Sequence, residues 1–185
     1  ILLGTSVMRE HYGAKAVALY SLTDPDYRGG LSLEPESITA LITTGHRLGW
    51  QMSAHVTGNA GVDLVLDAVE AAGKIRPIEK SRFNLIHAYF PDAATTARAR
   101  KLRVCLDTQP AWYFKAADAL LTALGSERLS KFVGVREWLK AGVPVAANTD
   151  HMLGMDPNRA LNPFNPFLTM YVLVTRKTEG GQVIG

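Results

Sequence analysis

Along the chain, short runs of apolar residues alternate with longer stretches in which apolar positions recur every three or four residues. The first pattern fits a brief buried strand and the second an amphipathic helix. Residues 33–49, LEPESITALITTGHRLG, predict a helix with Pro35 in its first turn and Gly45 or Gly49 near its end. WQMSAH (50–55) predicts a strand. NAGVDLVLDAVEAAGK (59–74) predicts a helix N-capped by Asn59, with Val62, Leu66 and Val69 on its apolar side. FNLIHA (83–88), LRVCLDTQ (102–109) and VPVAANTD (143–150) predict three more strands. Between them, PDAATTARARK (91–101), KAADALLTALG (115–125) and VGVREWLKAG (133–142) predict helices. NPFLTMYVLVTRKT (165–178) predicts a last helix despite its β-branched residues, opened by Asn165 or Pro166.

Strands alternating with helices predict an α/β fold with a parallel sheet. The strands are brief and mostly apolar, as expected of strands covered on both faces. No glycine-rich phosphate loop follows any of them. That argues against a doubly wound nucleotide-binding sheet and leaves a barrel, or part of one. No low-complexity linker divides the 185 residues, so one domain is expected.

Composition narrows the partners. Hydrophobic residues make up 47% and charged residues 20%, which is an ordinary globular balance. No apolar run approaches the length that crosses a bilayer, so no membrane partner is expected. The net charge is +3, but the cations are scattered, and the densest stretch, RARKLR (98–103), reads as a helix end entering a strand. Nucleic-acid binding, which needs a clustered basic stripe, is not expected. The single cysteine, Cys105, has no partner for an internal disulfide and fits a reducing, cytoplasmic setting. The chain opens on Ile1 and closes on GGQVIG just after a helical pattern, so a piece of a longer protein is expected.

Three predicted strands end on a side chain able to bind metal: His55, His87 and Asp150. Taken singly, each has a bland reading, since a strand-end histidine is usually a hydrogen-bonded structural residue and an aspartate can cap a turn. Their spacing is what makes them candidates. His55 and His87 are 32 residues apart, and His87 and Asp150 are 63 apart. A barrel repeat takes about 31 residues, which places the three on strands n, n+1 and n+3, at the C-terminal face where barrel enzymes build active sites. Two imidazoles and a carboxylate suit a divalent metal such as zinc. Such a metal polarises a carbonyl and acidifies water, and the carboxylate can carry the proton. His11, His46 and His151 share no such spacing, and His46 sits where it complements a helix dipole.

The segments SAHVTGNAGVDLVLDAVEAA, LIHAYFP, LDTQPAW and NTDHMLGMDPNRALNPFNPFLTMYVLVTRKTEGG closely resemble the amidohydrolase superfamily. The nearest branch is the one that contains N-substituted formamide deformylases. YRGGLSLEPESITALI is similar to the segment leading into that family's fifth strand. The resemblance covers nearly all of the chain. It implies a partial (β/α)8 TIM barrel, with residues 1–185 supplying the C-terminal half, about strands five to eight, as parallel strands with outer helices. It further implies His55 and His87 as the fifth- and sixth-strand metal ligands, and Asp150 as the eighth-strand aspartate that binds metal and shuttles the proton. The family's first-strand His-x-His pair, its fourth-strand lysine and its small β-sandwich have no counterpart in these residues. Locally, Ile86 stands where the branch commonly has glutamate, and Asn59 where an aspartate often follows the fifth-strand glycine.

The function implied is metal-dependent, water-mediated hydrolysis of a non-peptide, amide-like C–N bond in a small molecule. Trp112, Tyr113 and His151 are expected near the substrate, with core packing as the rival reading for the two aromatics. Tyr27 and Arg28 are expected in a solvated loop. The rival class is a non-catalytic half-barrel that pairs with itself or with a missing N-terminal half, because unpaired strands invite association.

Overall fold

The computed structural model describes residues 4–185. Among them, four parallel strands form one sheet in chain order: β1 (Ser53–Val56), β2 (Asn84–His87), β3 (Cys105–Thr108) and β4 (Val145–Ala147). Helical crossovers join them, as parallel neighbours require. α3 (Asn59–Ile75) follows β1, α4 (Ala93–Lys101) follows β2, and α5 (Pro110–Leu124), α6 (Ser126–Ser130) and α7 (Val135–Lys140) follow β3. α1 (Ala14–Leu19) and α2 (Pro35–Arg47) precede the sheet, and α8 (Pro166–Thr175) ends the set. No helix among the described residues is long and apolar enough to cross a membrane.

The strands are shorter than the apolar runs that announce them. Leu102 still belongs to the end of α4, and Arg103 turns the chain through a left-handed φ of 56°, so β3 starts only at Cys105. α5 begins five residues earlier than the pattern predicts, because Pro110 fits the first helical turn, where no N–H is needed. Asn59 is the first residue of α3 and not its cap; Gly58 occupies the cap. The Val7 carbonyl caps that helix from outside, accepting the Ala60 and Gly61 N–H groups. This approach requires glycine at position 58, where a Cβ would lie 2.1 Å from the Val7 oxygen.

The register sets the two faces of the sheet. Ala54, Leu85, Leu106 and Val145 align in one row, and this side packs on α3 through Val62, Leu66 and Val69, with Trp138 of α7 in the same core. The opposite row, His55, Ile86, Asp107 and Ala146, is exposed or half-buried, as are Ser53, Asn84 and Cys105 one step earlier. The strands are therefore covered on one face, not on both as their apolar character predicts. A second core packs α1, α5 and α8 around Tyr89, Phe90 and Phe132.

Two arginines tie the peripheral segments to this frame. Arg9 meets the Asp63 carboxylate through Nε (2.6 Å) and Nη2 (2.7 Å), and its Nη1 pairs with Asp92. The N-terminal segment is thus clamped to the starts of α3 and α4. Arg176, just past α8, is largely buried and donates to the carbonyls of Val133, Ser130, Phe132 and Ile184 while stacking 3.9 Å over the Tyr113 ring.

Asp92 does two jobs, capping α4 by accepting the Thr95 N–H at 2.8 Å and holding Arg9. Partial burial alone would raise its carboxyl pKa, but the Thr95 and Arg9 hydrogen bonds outweigh it and hold the group below its ordinary value. Asp92→Ala is therefore expected to cost about 1–2 kcal/mol in chemical denaturation at neutral pH. Because the folded pKa lies below the unfolded one, that contribution is complete above the usual carboxylate range and vanishes as pH falls through the folded value. The wild-type and variant stabilities should therefore converge in acid.

Candidate functional site

β1 and β2 pair in register, which brings their C-terminal ends to the same rim. His55 is the penultimate residue of β1 and His87 the last of β2. Strict alternation would send His87, paired with Val56, toward the helical face. Its backbone instead lies at φ 75°, followed by Ala88 at 44°, a left-handed stretch that non-glycine residues rarely adopt. The His87 ring then packs edge-on against His55, with centroids 4.5 Å apart. Strain of this kind gathers at functional sites, where the surroundings hold it in place.

His87 is buried and His55 is exposed. The His87 Nδ1 lies 2.9 Å from the Tyr89 hydroxyl, and its Nε2 lies 3.9 Å from Asp150 Oδ2. Burial pushes the His87 pKa down, the neighbouring His55 pushes it further, and Asp150 offsets this only in part. The result is about 4, so the imidazole is neutral at pH 7 and keeps a lone pair for a ligand.

Asp150 reaches this rim from a loop, three residues beyond β4, with a left-handed φ of 50°. Its N–H donates to Asn148 Oδ1 at 2.7 Å, and its Oδ2 accepts the Trp112 indole N–H at 2.7 Å. The three residues singled out by spacing therefore lie along one rim, on β1, on β2 and after β4. Their donor chemistry, two imidazoles and a carboxylate, suits zinc or a similar divalent ion. Among the described residues, however, no three His, Cys, Asp or Glu side chains converge closely enough to hold one ion. The Asp150 carboxylate is engaged by Trp112 and stops short of contact with His87.

The expected substrate-side residues separate. Trp112 does stand at the site, through its bond to Asp150. Tyr113 does not: it is fully buried in the second core, its hydroxyl 2.7 Å from the Arg176 carbonyl and 3.1 Å from that of Ile184. The helical turn explains the split, since consecutive residues of a helix cannot share a face. His151 packs on Phe164 with centroids 4.4 Å apart, held by the loop that follows it. Tyr89, Asn148 and Asp107, absent from the sequence-based candidates, prove to contact the trio or its supports. Each lies within two residues of a candidate or in a strand row with one, the one signal that points to them. A cleft of about 630 Å³ runs beside β1, lined by Val7, Leu31, Ile38, Ile42, Met52 and His55 among others.

A sequence model of the Amidohydrolase family matches residues 6–185. The chain is 26% identical over 161 residues to YtcJ of Bacillus subtilis (strain 168), covering 86% of this chain and 28% of that protein. It is 28% identical over 142 residues to the N-substituted formamide deformylase of Arthrobacter pascens, covering 76% and 24%. The fold is similar to that of an uncharacterized metal-dependent hydrolase from Pyrococcus horikoshii OT3, with a TM-score of 0.71 at 21% identity. That match covers 93% of this chain and 30% of the other. The chain thus spans between 24% and 30% of the length of these three proteins.

The placement of Tyr113 has a direct check. Tyr113→Phe should lower stability by about 1–2 kcal/mol, because it strips a buried hydroxyl from its carbonyl partners. The same change should leave zinc affinity as it is, whereas a substrate-side or ligand-side tyrosine would show the reverse pattern.

Proposed function

The chain belongs to the amidohydrolase family, and from that premise we propose that it is the part of a metal-dependent hydrolase that supplies strands five to eight of a (β/α)8 barrel. The reaction is hydrolysis of an amide-like, non-peptide C–N bond in a small molecule. The observation that carries the reading is the placing of His55, His87 and Asp150 on one rim, with 4.5 Å between the imidazole centroids and 3.9 Å from His87 to Asp150. A cytoplasmic setting fits the single free thiol of Cys105.

His55, His87 and Asp150 would contribute ligands to the divalent metal, zinc by the chemistry of the donors, in a set that the described residues as placed leave incomplete. Once bound, it supplies Lewis-acid polarisation of the scissile carbonyl and lowers the pKa of water. The remaining work falls to side chains of this chain. His87 Nδ1 lies against the Tyr89 hydroxyl, and in the tautomer that ligation through Nε2 would require, Nδ1–H donates to that hydroxyl and the Nε2 lone pair faces the site. Burial raises the Tyr89 phenol well above its ordinary value, so the group facing His87 is a neutral hydroxyl. Asp150 keeps Oδ2 on the Trp112 indole and has Oδ1 for a water proton. It takes that proton as the new C–O bond forms and returns it to the leaving nitrogen as the C–N bond breaks. Trp112 and His151, beside Asp150, are proposed to contact substrate.

A second reading is a non-catalytic half-barrel. The exposed row on the sheet and the two outer strands, β1 and β4, favour it, because among the described residues each outer strand has a partner on one side only. Such a body is expected to pair with a second copy or with a separate N-terminal half.

Three measurements test these readings. Calorimetric titration of zinc into this chain should show weak binding, with His55→Ala and Asp150→Ala each reducing affinity at least about tenfold while the circular dichroism stays unchanged. Unaltered binding in a variant lacking all three side chains would remove the assignment. Amide hydrolysis by this chain alone should be undetectable, and turnover lost on Asp150→Ala would show that the visible residues suffice. Sedimentation well above micromolar concentration should show dimers, and a clean monomer would count against the self-pairing half-barrel.

A further inference from the structure

We propose that Asp107 and Asn148 form a brace that fixes the Asp150 carboxylate at the rim, so that β3 positions the reactive group carried after β4. The functional meaning of the brace rests on reading Asp150 as the proton-carrying carboxylate; its geometry does not.

Asn148 is held to β3 twice. Its main-chain N–H donates to the Thr108 carbonyl at 3.0 Å, and its side-chain Nδ2 donates to Asp107 Oδ1 at 2.7 Å. The other end of the same amide, Oδ1, accepts the Asp150 N–H at 2.7 Å. These two partners admit one orientation of the amide only. A carboxylate accepts and a backbone N–H donates, so the flipped amide would lose both bonds. Asp107 thereby selects the rotamer in which Asn148 can hold the Asp150 backbone.

That backbone needs holding. Asp150 sits at φ 50°, in the left-handed region that residues bearing a Cβ seldom occupy. The Asn148 side chain bonds the main chain two residues on, an Asx-turn that holds Asp150 in this conformation. From the opposite direction, Trp112 grips the carboxylate itself through Oδ2. Trp112 belongs to the first turn of α5, which begins two residues after β3 ends. Both restraints on Asp150 therefore originate at the C-terminal end of β3.

Asp107 is a positioning residue. It shares its row with His55, but Ile86 stands between them, and no metal-holding cluster among the described residues includes it.

The Trp112 indole N–H reports on the brace without metal or substrate. In ¹⁵N-labelled protein its resonance is assigned by Trp112→Phe, with Asp150→Ala as the reference for a lost bond. Asp107→Ala and Asn148→Ala should each move the resonance toward the Asp150→Ala position and speed its solvent exchange about tenfold, the loss of one hydrogen bond of ordinary strength. Asp107→Asn, which keeps an acceptor oxygen for Asn148, should retain the wild-type signal. The Trp138 indole, in the other core, should stay in place throughout and certify the fold. An unmoved Trp112 signal in both alanine variants, with Asp150→Ala displaced, overturns the proposal. An equal displacement in Asp107→Asn and Asp107→Ala also overturns it, because the acceptor would then be irrelevant. Failure of zinc to bind would leave this result untouched, so the two readings fail separately.

Discussion

Parallel pairing of β1 with β2, β2 with β3 and β3 with β4 rests on three or four residue pairs per ladder, yet it decides where His55 and His87 lie and which rim the loop after β4 reaches. Because all four strands run the same way, their C-terminal ends share one rim, and each chain crossing returns through a helix on one face. The buried row Leu85–Leu106 holds the register by packing on α3, since a one-residue slip would turn those side chains to the open face. His55 and His87 lie side by side because that register holds, and Asp150 reaches the same rim from the loop after β4. The arginine clamp at Arg9 serves the same end, tying the N-terminal segment to the starts of the helices that cover the sheet.

At the rim, the regular fold gives way to local compromise. Left-handed backbone at His87, Ala88, Phe90 and Asp150 departs from what their side chains prefer. Each departure lies just where a strand hands over to a loop. At His87 the gain is contact with His55, with the Tyr89 hydroxyl near its other side. At Asp150 it is a carboxylate turned to meet the Trp112 indole. The helical layer can hold such strain because it buries Leu66, Leu85, Leu106 and Trp138 almost completely.

Order and type of the long elements were legible in the sequence, since apolar periodicity reports burial and the crossover helices are strongly periodic. Strand ends were not. An apolar residue such as Val143 is buried equally well just outside a ladder, so hydrophobicity overruns the hydrogen bonding that defines β4. The one-sided cover of the sheet was also illegible, because Ile86 and Cys105 are apolar on the open face. The spacing of His55, His87 and Asp150 carried the strand order of the trio, but not the loop that delivers Asp150. Neighbours in sequence misled where a helix separates them, as Trp112 and Tyr113 do. The supports Asp107 and Asn148 were invisible, because an aspartate and an asparagine 41 residues apart carry no pattern until the sheet joins them.

Arg176 limits which sequences this fold can accept. Its guanidinium spreads donors from three nitrogens to four carbonyls on two separate segments, residues 130–133 and 184. A lysine ammonium gathers its three donors on one atom and cannot span that fan, nor lie flat on the Tyr113 ring. Shorter polar residues would leave the carbonyls facing each other across a void. The usual like-for-like exchange of cations is therefore closed here, and drift at this position runs into a wall built of main chain, which no neighbouring side-chain change can rewrite.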